Sequence, residues 1–512
     1  MRTSFRGIAA WVCLCLGLVA CGPLWGTYDW PTATPWQLDS SPGSAPLSSP
    51  TAPPSTPSPT PDPTPTARPP ILYYTQSGDS LKSVAARFGV NVDEILSPLP
   101  LPPATRLLDP ETPLLIPDRL TLTTPDIRLI PDSEVVYSPS AIDFDIEAYV
   151  QAAGGKLRDE KYYVNNVGWL SGAQVIQKIA IESSTNPRLL LALLQHESGW
   201  VYGQPSTIVQ EDYPFGHINY LYRGLYQQLI WVVQQLSLGY YGWREGTLTS
   251  LTFRDGVTLR LAPTLNAGSV ALHYYFAQRY TYAEWLRAMD VNVGFPALYR
   301  TMFGDPWVRA PSVEPVFPRG VEQPPLILPF RRGEAWAFTN GPHAAWYGRS
   351  KEAEVPQPRA ALDFAPTATE PGCVESSKAL LAAAPGLVVR TGPGLVVLDL
   401  DGDGHEQTGW VLVYLHVSAR GKPPVGAWVN TGDVIGYPSC EGGFATGTHV
   451  HLVRKYNGEW VLAAGPLPFT LSGWVLQQET PATKARLVKG NQVVTENRYG
   501  MKESEITRQS DE

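Results

Sequence analysis

The chain has 512 residues, 50 of them proline, and carries a formal net charge of −8. That length exceeds what one hydrophobic core usually organises and predicts about three domains. The acidic balance provides no basic stripe for a nucleic acid, so we exclude a nucleic-acid partner.

Residues 1–20 are typical of an export signal, because two arginines precede an apolar stretch too short to span a membrane. The run Leu18-Val19-Ala20-Cys21-Gly22 resembles the bacterial lipobox, which implies cleavage before Cys21 and attachment of lipid to its sulfur. The alternative is an ordinary signal peptide with an incidental cysteine. We therefore predict an extracytoplasmic protein of the cell envelope that a lipid at Cys21 anchors to the membrane.

The next segment, residues 21–70, is rich in proline, serine and threonine. Such a composition cannot build a core and predicts an extended tether, partly polyproline II, that reaches ~100 Å. The tether would let the folded part work in a layer outside the lipid surface.

Residues 72–118 predict a small α+β domain. The segment Tyr73 to Val90 indicates a strand, a Gly-Asp turn and a helix that Asp79 or Ser80 can cap, and residues 91–96 and 114–117 indicate a second helix and a closing strand. This pattern resembles a LysM domain, which implies binding to glycans that contain N-acetylglucosamine, chiefly peptidoglycan. The proline-rich insert at residues 98–103 departs from the compact pattern, and a spacer without a ligand is the alternative.

Residues 132–311 predict a mainly helical domain. Apolar residues recur at helical spacing in residues 173–180, and a second helix begins at Pro187 and runs into Gln195-His196-Glu197-Ser198. The second helix resembles the catalytic helix of lytic transglycosylases with a goose-lysozyme-like fold, which implies an acid/base role for Glu197. A glycan-binding or purely structural helical domain is the alternative, because an exposed glutamate at a helix end is commoner than a catalytic one.

Residues 325–474 are rich in short strands that Gly, Pro and Asp turns separate, which predicts an all-β domain. Two imidazoles one residue apart on a strand, His449 and His451, face the same side and indicate a metal site. The motifs around Asp363, His416, residues 429–436 and residues 446–451 together resemble the lysostaphin-type zinc endopeptidases of cell walls. The resemblance implies their duplicated hybrid-motif fold.

One departure affects the metal ligands. The lysostaphin branch places its first zinc histidine four residues before the aspartate, and here that position is Arg359, which cannot ligate zinc. The staphylolysin, or β-lytic, branch has a longer gap, and His343 lies twenty residues before Asp363. The resemblance then implies that His343, Asp363 and His451 bind zinc and that His416 and His449 flank the scissile carbonyl.

Three weaker signals complete the chain. Cys373 and Cys440 are most simply a disulfide in an oxidising compartment, with a zinc role for the thiols as the alternative. The run Asp399-Leu400-Asp401-Gly402-Asp403 predicts a polar hairpin turn, with calcium as the alternative. The polar residues 479–512 predict a loosely held tail.

Together these patterns predict a lipid-anchored peptidoglycan hydrolase in which a LysM domain holds glycan and a zinc endopeptidase cleaves peptide stems or cross-links. Two alternatives remain. One is a non-catalytic wall-binding scaffold or activator, and the other is a lytic transglycosylase acting through Glu197. A protein activator that uncovers the active site is a possible partner.

Overall fold

The structure is a computed structural model that describes residues 68–165, 167–346, 358–367 and 372–509. The predicted export signal, the lipidation site Cys21 and most of the tether lie outside these residues. No helix in the described part of the chain is long and apolar enough to cross a membrane.

The N-terminal module, residues 71–116, consists of strand β1 (Ile71–Tyr74), helix α1 (Leu81–Phe88) and strand β2 (Pro113–Ile116), which pairs antiparallel with β1. Ser80 caps α1 in a capping box with Ser83, and Gly89 ends it in the left-handed conformation. The second predicted helix is wrong: only a single 3-10 turn, Val92–Glu94, forms there. The chain then enters the proline-rich insert, residues 98–103. Its prolines lack the backbone N–H that a helix needs for its hydrogen bonds.

The loop between β1 and α1 is buried against the helical part of the chain. Gln76 Nε2 donates to the carbonyl of Thr264 at 3.0 Å, and Arg87 donates to the carbonyl of Trp243 at 2.9 Å while it pairs with Asp79. The module is therefore docked through polar side chains that reach backbone carbonyls of its neighbour.

In its described residues, the helical region, residues 132–312, contains ten α-helices and two hairpins. Its helices are α2 (Ile146–Ala153), α3 (Lys156–Asp159), α4 (Gly172–Ser183), α5 (Pro187–Ser198), α6 (Ile208–Asp212), α7 (Leu225–Glu245), α8 (Ala267–Arg279), α9 (Tyr282–Ala288), α10 (Phe295–Phe303) and α11 (Pro306–Arg309). Its hairpins are β3 (Lys161–Val164) with β4 (Gly168–Ser171) and β5 (Ser250–Thr252) with β6 (Thr258–Arg260).

The β region, residues 335–507, contains the remaining strands. They are β7 (Ala335–Ala344), β8 (Arg359–Pro366), β9 (Leu380–Leu381), β10 (Gly386–Gly392), β11 (Gly394–Asp399), β12 (Trp410–Val417), β13 (Trp428–Val429), β14 (Val434–Gly436), β15 (Val450–Tyr456), β16 (Glu459–Trp460), β17 (Thr470–Leu471), β18 (Trp474–Gln477), β19 (Arg486–Lys489), β20 (Gln492–Thr495) and β21 (Glu505–Thr507). Among the described residues, nine of them form one sheet in the order β13-β10-β11-β12-β15-β8-β7-β21, with β16 beside β15.

The predicted loose tail is wrong. Within the described residues 479–509, β19 and β20 complete a four-stranded sheet with β17 and β18, and β21 adds to the edge of the large sheet next to β7. Ile506 of β21 is 1% exposed. The segment folds because alternate apolar residues such as Leu487, Val494 and Ile506 reach the core while the polar ones face water.

The large sheet has a buried core on each face. On one face Ala361, Val411, Val413, Val453 and Trp460 share a buried cluster with the helical region. On the other, Leu362, Phe364, Leu412, Val450 and Leu452 pack with the C-terminal strands. This division follows from the two-residue alternation of side chains along each strand.

A buried polar network joins the helical and β regions beside the shared core. Arg244 of α7 donates to Glu459 of β16 at 2.9 Å and to Asp132 at 2.9 Å, and Tyr240 donates to Glu459 at 2.6 Å. The indole of Trp460 donates to the carbonyl of Ser183 at 2.9 Å. Both buried carboxylates share the guanidinium of Arg244, so loss of Arg244 would leave uncompensated charge at this junction.

Candidate metal centre

The site lies on one face of the large sheet, the face that at other positions packs against the helical region. His451 and Val453 alternate with the inward-facing Val450 and Leu452 on β15, so His451 takes the side that Val453 shares with the helical region. Asp363 on the adjacent β8 lies directly opposite His451 in the strand register. Asp363 and His451, two of the predicted metal ligands, are therefore neighbours on two adjacent strands.

Three of the residues singled out from the sequence converge. His343 Nε2 is 2.9 Å from Asp363 Oδ1, and His451 Nδ1 is 3.3 Å from the same oxygen. One ligand atom from each of the three side chains lies within 4.8 Å of the other two. Two imidazole nitrogens and a carboxylate oxygen are a donor set that suits a catalytic zinc ion, which takes three protein ligands and keeps a fourth position for water. The residues present therefore fit zinc.

Hydrogen bonds outside the cluster orient two of the ligands. His451 Nε2 lies 3.2 Å from the carbonyl oxygen of Ala345, which can only accept, so the ring proton is on Nε2 and the lone pair of Nδ1 points to the cluster. Asn340 Nδ2 approaches Asp363 Oδ2 at 3.5 Å. These contacts hold the ligands before any ion binds.

Burial would disfavour the charge of Asp363, but His343 and His451 outweigh it and hold the pKa of this carboxyl well below its usual range. Burial lowers the pKa of His451. An ionised carboxylate and a neutral imidazole are the forms that bind a metal ion.

His416 and His449 form a second pair beside the cluster, with ring centroids 4.4 Å apart. His449 Nε2 is 3.8 Å from Asp363 Oδ2. In each ring Nδ1 meets a backbone carbonyl, that of Glu441 at 2.9 Å from His416 and that of Gly447 at 2.7 Å from His449. A neutral ring must then carry its proton on Nδ1, which leaves Nε2 with a lone pair.

His416 is fully buried and has a positive φ of 64°. Burial, with the neighbouring His449, lowers its pKa to about 4. An uncommon backbone conformation that surrounding contacts maintain is frequent at functional sites, where it aims a side chain. His416 is therefore a neutral imidazole aimed by its backbone rather than a solvated histidine.

Cys373 and Cys440 are joined in a disulfide with a Cα–Cα distance of 5.5 Å. Thr448 donates its backbone amide to the carbonyl of Gly372 at 3.0 Å. The bond and this contact tie the loop before β15 to the loop of Glu441, whose carbonyl holds His416.

Arg359 and Glu197 have other partners. Arg359, at the start of β8, pairs with Glu245 at 3.5 Å. Glu197, at the end of α5, accepts from Tyr275 at 3.1 Å and pairs with Arg279 at 3.4 Å. An ion pair of this kind is a common structural use of a buried glutamate, so the contacts add no support to a catalytic role, which stays a prediction.

The Asp399 segment is a turn stabilised by its own backbone. The carboxylate of Asp399 accepts from the backbone amides of Asp401 and Gly402 at 3.2 Å and of Gly404 at 2.8 Å. Burial and the neighbouring Asp399 raise the pKa of Asp401 to about 7. These bonds agree with the predicted hairpin turn.

Several contributors to the site have no signal in the sequence. The carbonyl oxygens of Ala345, Glu441 and Gly447 orient three imidazoles, and every residue has such an oxygen. Asn340 is different, because an amide three residues before a candidate ligand can be noticed once His343 is suspected.

Comparison with known proteins finds one matching family model and several similar proteins. Residues 128–316 match the family model described as the N-terminal domain of LasA. The chain is 28% identical over 374 residues to protease LasA of Pseudomonas aeruginosa strain UCBPP-PA14, an alignment that covers 67% of this chain and 78% of the relative. The chain is homologous to protease LasA. The helical region, for which the sequence indicated a transglycosylase-like fold, lies within the residues that this model matches.

Two solved structures align with smaller parts of the chain. The M23 metalloprotease pseudoalterin from the deep sea aligns with 34% of this chain and 96% of its own, at 19% identity and a TM-score of 0.27. The catalytic domain of the antimicrobial peptidase lysostaphin from Staphylococcus simulans aligns with 25% of this chain and 81% of its own, at 21% identity and a TM-score of 0.17.

Proposed function

We propose that this protein is a zinc metalloendopeptidase of the cell envelope that hydrolyses the peptide stems or cross-links of peptidoglycan. The observation that carries the proposal is the convergence of His343, Asp363 and His451 within 4.8 Å, with two further oriented imidazoles beside them. The homology to protease LasA supports hydrolysis of peptide bonds.

In this proposal His343, Asp363 and His451 hold the zinc ion. When bound, zinc lowers the pKa of a coordinated water and polarises the carbonyl of the peptide. His416 and His449 each have a free lone pair at Nε2, because Nδ1 is bonded to a carbonyl. One of them accepts the proton of the attacking water at Nε2, and the N–H formed there then returns that proton to the leaving amine.

The substrate and location rest on the N-terminal third of the chain. A LysM-like module would hold glycan beside the peptidase, and lipidation of Cys21 with the proline-rich tether would place both in the envelope. The strand-helix-strand order of residues 71–116 is compatible with that resemblance.

The test is mass spectrometry of purified peptidoglycan after incubation with the zinc-loaded full-length protein. We expect new peptide termini with the unaltered protein and none with His449→Ala, while zinc content stays near one equivalent in that variant. His451→Ala should lose both zinc and activity, because it removes one of three protein ligands. His405→Ala is the matched control, since His405 is an exposed turn histidine away from the cluster.

Three outcomes would contradict the proposal. Full zinc retention in His451→Ala would remove the metal assignment. Anhydro-sugar ends in the digests of both the unaltered protein and His449→Ala would move catalysis to Glu197. Binding to peptidoglycan without new ends would favour a non-catalytic scaffold.

A further inference from the structure

The C-terminal segment runs along β7, the strand that carries the metal ligand His343, on the side away from β8. Strand β21 pairs with β7 so that Ile506 lies opposite Trp336, and Asn497 donates its backbone amide to the carbonyl of Phe338 at 3.1 Å. One side of β7 is therefore bonded to β8 and the other to residues that follow β20.

The ladder between β7 and β8 is irregular where the ligand lies. Its register shifts between Phe338 and Asn340, between Asn340 and His343, and again directly after His343. A bulged strand has fewer ladder bonds to fix its course, so the direction of His343 needs other contacts.

Glu496 supplies such a contact. Its Oε2 accepts the backbone amide of Gly341, two residues before His343, at 3.1 Å. The backbone at Gly341 has a φ of +139°, and a Cβ there would lie 2.6 Å from Leu362 Cδ2, so the bulge presses closely on β8. The half-buried carboxylate of Glu496 is also close enough to His343 for an electrostatic interaction.

We propose that Glu496 is a positioning residue for the metal centre: by holding the amide of Gly341 it fixes the β7 bulge and aims His343 at the ion. The inference rests on the proposed zinc function. Partners that hydrogen-bond a metal ligand directly change metal affinity by about 10- to 100-fold when they are removed. Glu496 bonds the backbone two residues before the ligand, so we expect an effect near the lower end of that range. The negative charge of Glu496 also increases metal affinity, since it favours a cation in the cluster.

The test measures zinc affinity of the full-length protein by competition with a chromogenic chelator, and the visible spectrum of the cobalt-substituted protein. We expect Glu496→Ala to weaken zinc binding about 10-fold or more and to alter the cobalt spectrum. Glu496→Gln keeps an oxygen acceptor for the Gly341 amide and should stay much closer to the unaltered protein. Glu505→Gln is the matched control, because Glu505 is exposed on the same segment.

The outcomes separate this inference from the proposed function. If the unaltered protein binds zinc, His343→Ala loses it and Glu496→Ala keeps full affinity and an unchanged cobalt spectrum, the positioning role is overturned alone. If the unaltered protein binds no zinc, the metal centre itself is overturned, and this inference with it. A Glu496→Gln variant as weak as Glu496→Ala would overturn the hydrogen bond as the cause. Should Glu496→Ala fail to fold, Glu496→Asp, whose shorter side chain cannot reach the amide, replaces it with the same expected loss.

Discussion

His416 and His273 are both buried, but their rings are used differently. His416 has a carbonyl partner at Nδ1, whereas neither ring nitrogen of His273, on α8, has a hydrogen-bond partner among the described residues. Burial lowers the pKa of His273 to about 3. A neutral histidine of this kind lowers the stability of the helical region, because two polar nitrogens are removed from water without compensation.

We expect His273→Leu to raise the free energy of unfolding by about 1–3 kcal/mol at neutral pH. The folded pKa of His273 is depressed, so below pH 6.5 the unfolded state takes up a proton that the folded state does not, and stability falls as the pH falls from 6.5 toward 3. At about pH 5 the unaltered protein should have lost about 2 kcal/mol through this group, and the variant should not. Urea unfolding at both pH values tests this, and an equal pH dependence of the two proteins would contradict it.

The residue types of the candidate metal centre could be predicted because side chains able to ligate a metal are rare in this chain. His449 and His451 share a face of one strand, and an aspartate and two more histidines lie in the same region of the chain. The carbonyl contacts and Glu496 could not be predicted, because they depend on how loops far apart in the sequence meet.

Helix α5 begins at Pro187, where the sequence predicts it, and helix α4 covers the predicted periodic residues 173–180. Ser171 caps α4, and Asn186 and Pro187 begin α5. The C-terminal strands could not be predicted in the same way. A three-residue strand such as β21 exists only because the edge of β7 is available for pairing, and a local pattern does not contain that information.

We expect Ile506→Asp to destabilise the β region by several kcal/mol, because it places a charge without a partner in the core next to β7. Thermal unfolding and hydrogen exchange of the amides of β7 provide the measurements. Glu505→Asp, at the exposed neighbouring position, should change stability by less than about 0.5 kcal/mol. A loss confined to β21, with β7 still protected, would show that the edge strand is independent of the site.

Composition predicts that the chain has several domains, but it does not predict which of their surfaces pack together. Val411, Val413 and Val453 read as ordinary core residues of strands, yet they contact helices that precede them by a long stretch of chain. Because one buried cluster spans the helical region and one face of the sheet, the two regions should unfold together.

Substitution of Arg244 tests whether the helical and β regions are stabilised together. Arg244→Ala leaves Glu459 and Asp132 without their cation in a buried network, which should cost about 3–5 kcal/mol. Arg486→Ala removes an exposed ion pair with Glu479 and should cost at most about 1 kcal/mol. Calorimetry should show one transition for residues 68–509 in the unaltered protein. Two well-separated transitions would contradict a shared core.

The position of β21 beside β7 also bears on the order in which the protein is made. His343, Asp363 and His451 leave the ribosome before Glu496 and Ile506, yet the strand that carries His343 is bonded along one side by the later residues. A growing chain can hold all its ligands and still lack the segment that completes their edge of the sheet. The candidate metal centre would then reach its final geometry only after residues 496–507 have been made, and a shorter nascent chain would carry the ligating side chains without that geometry.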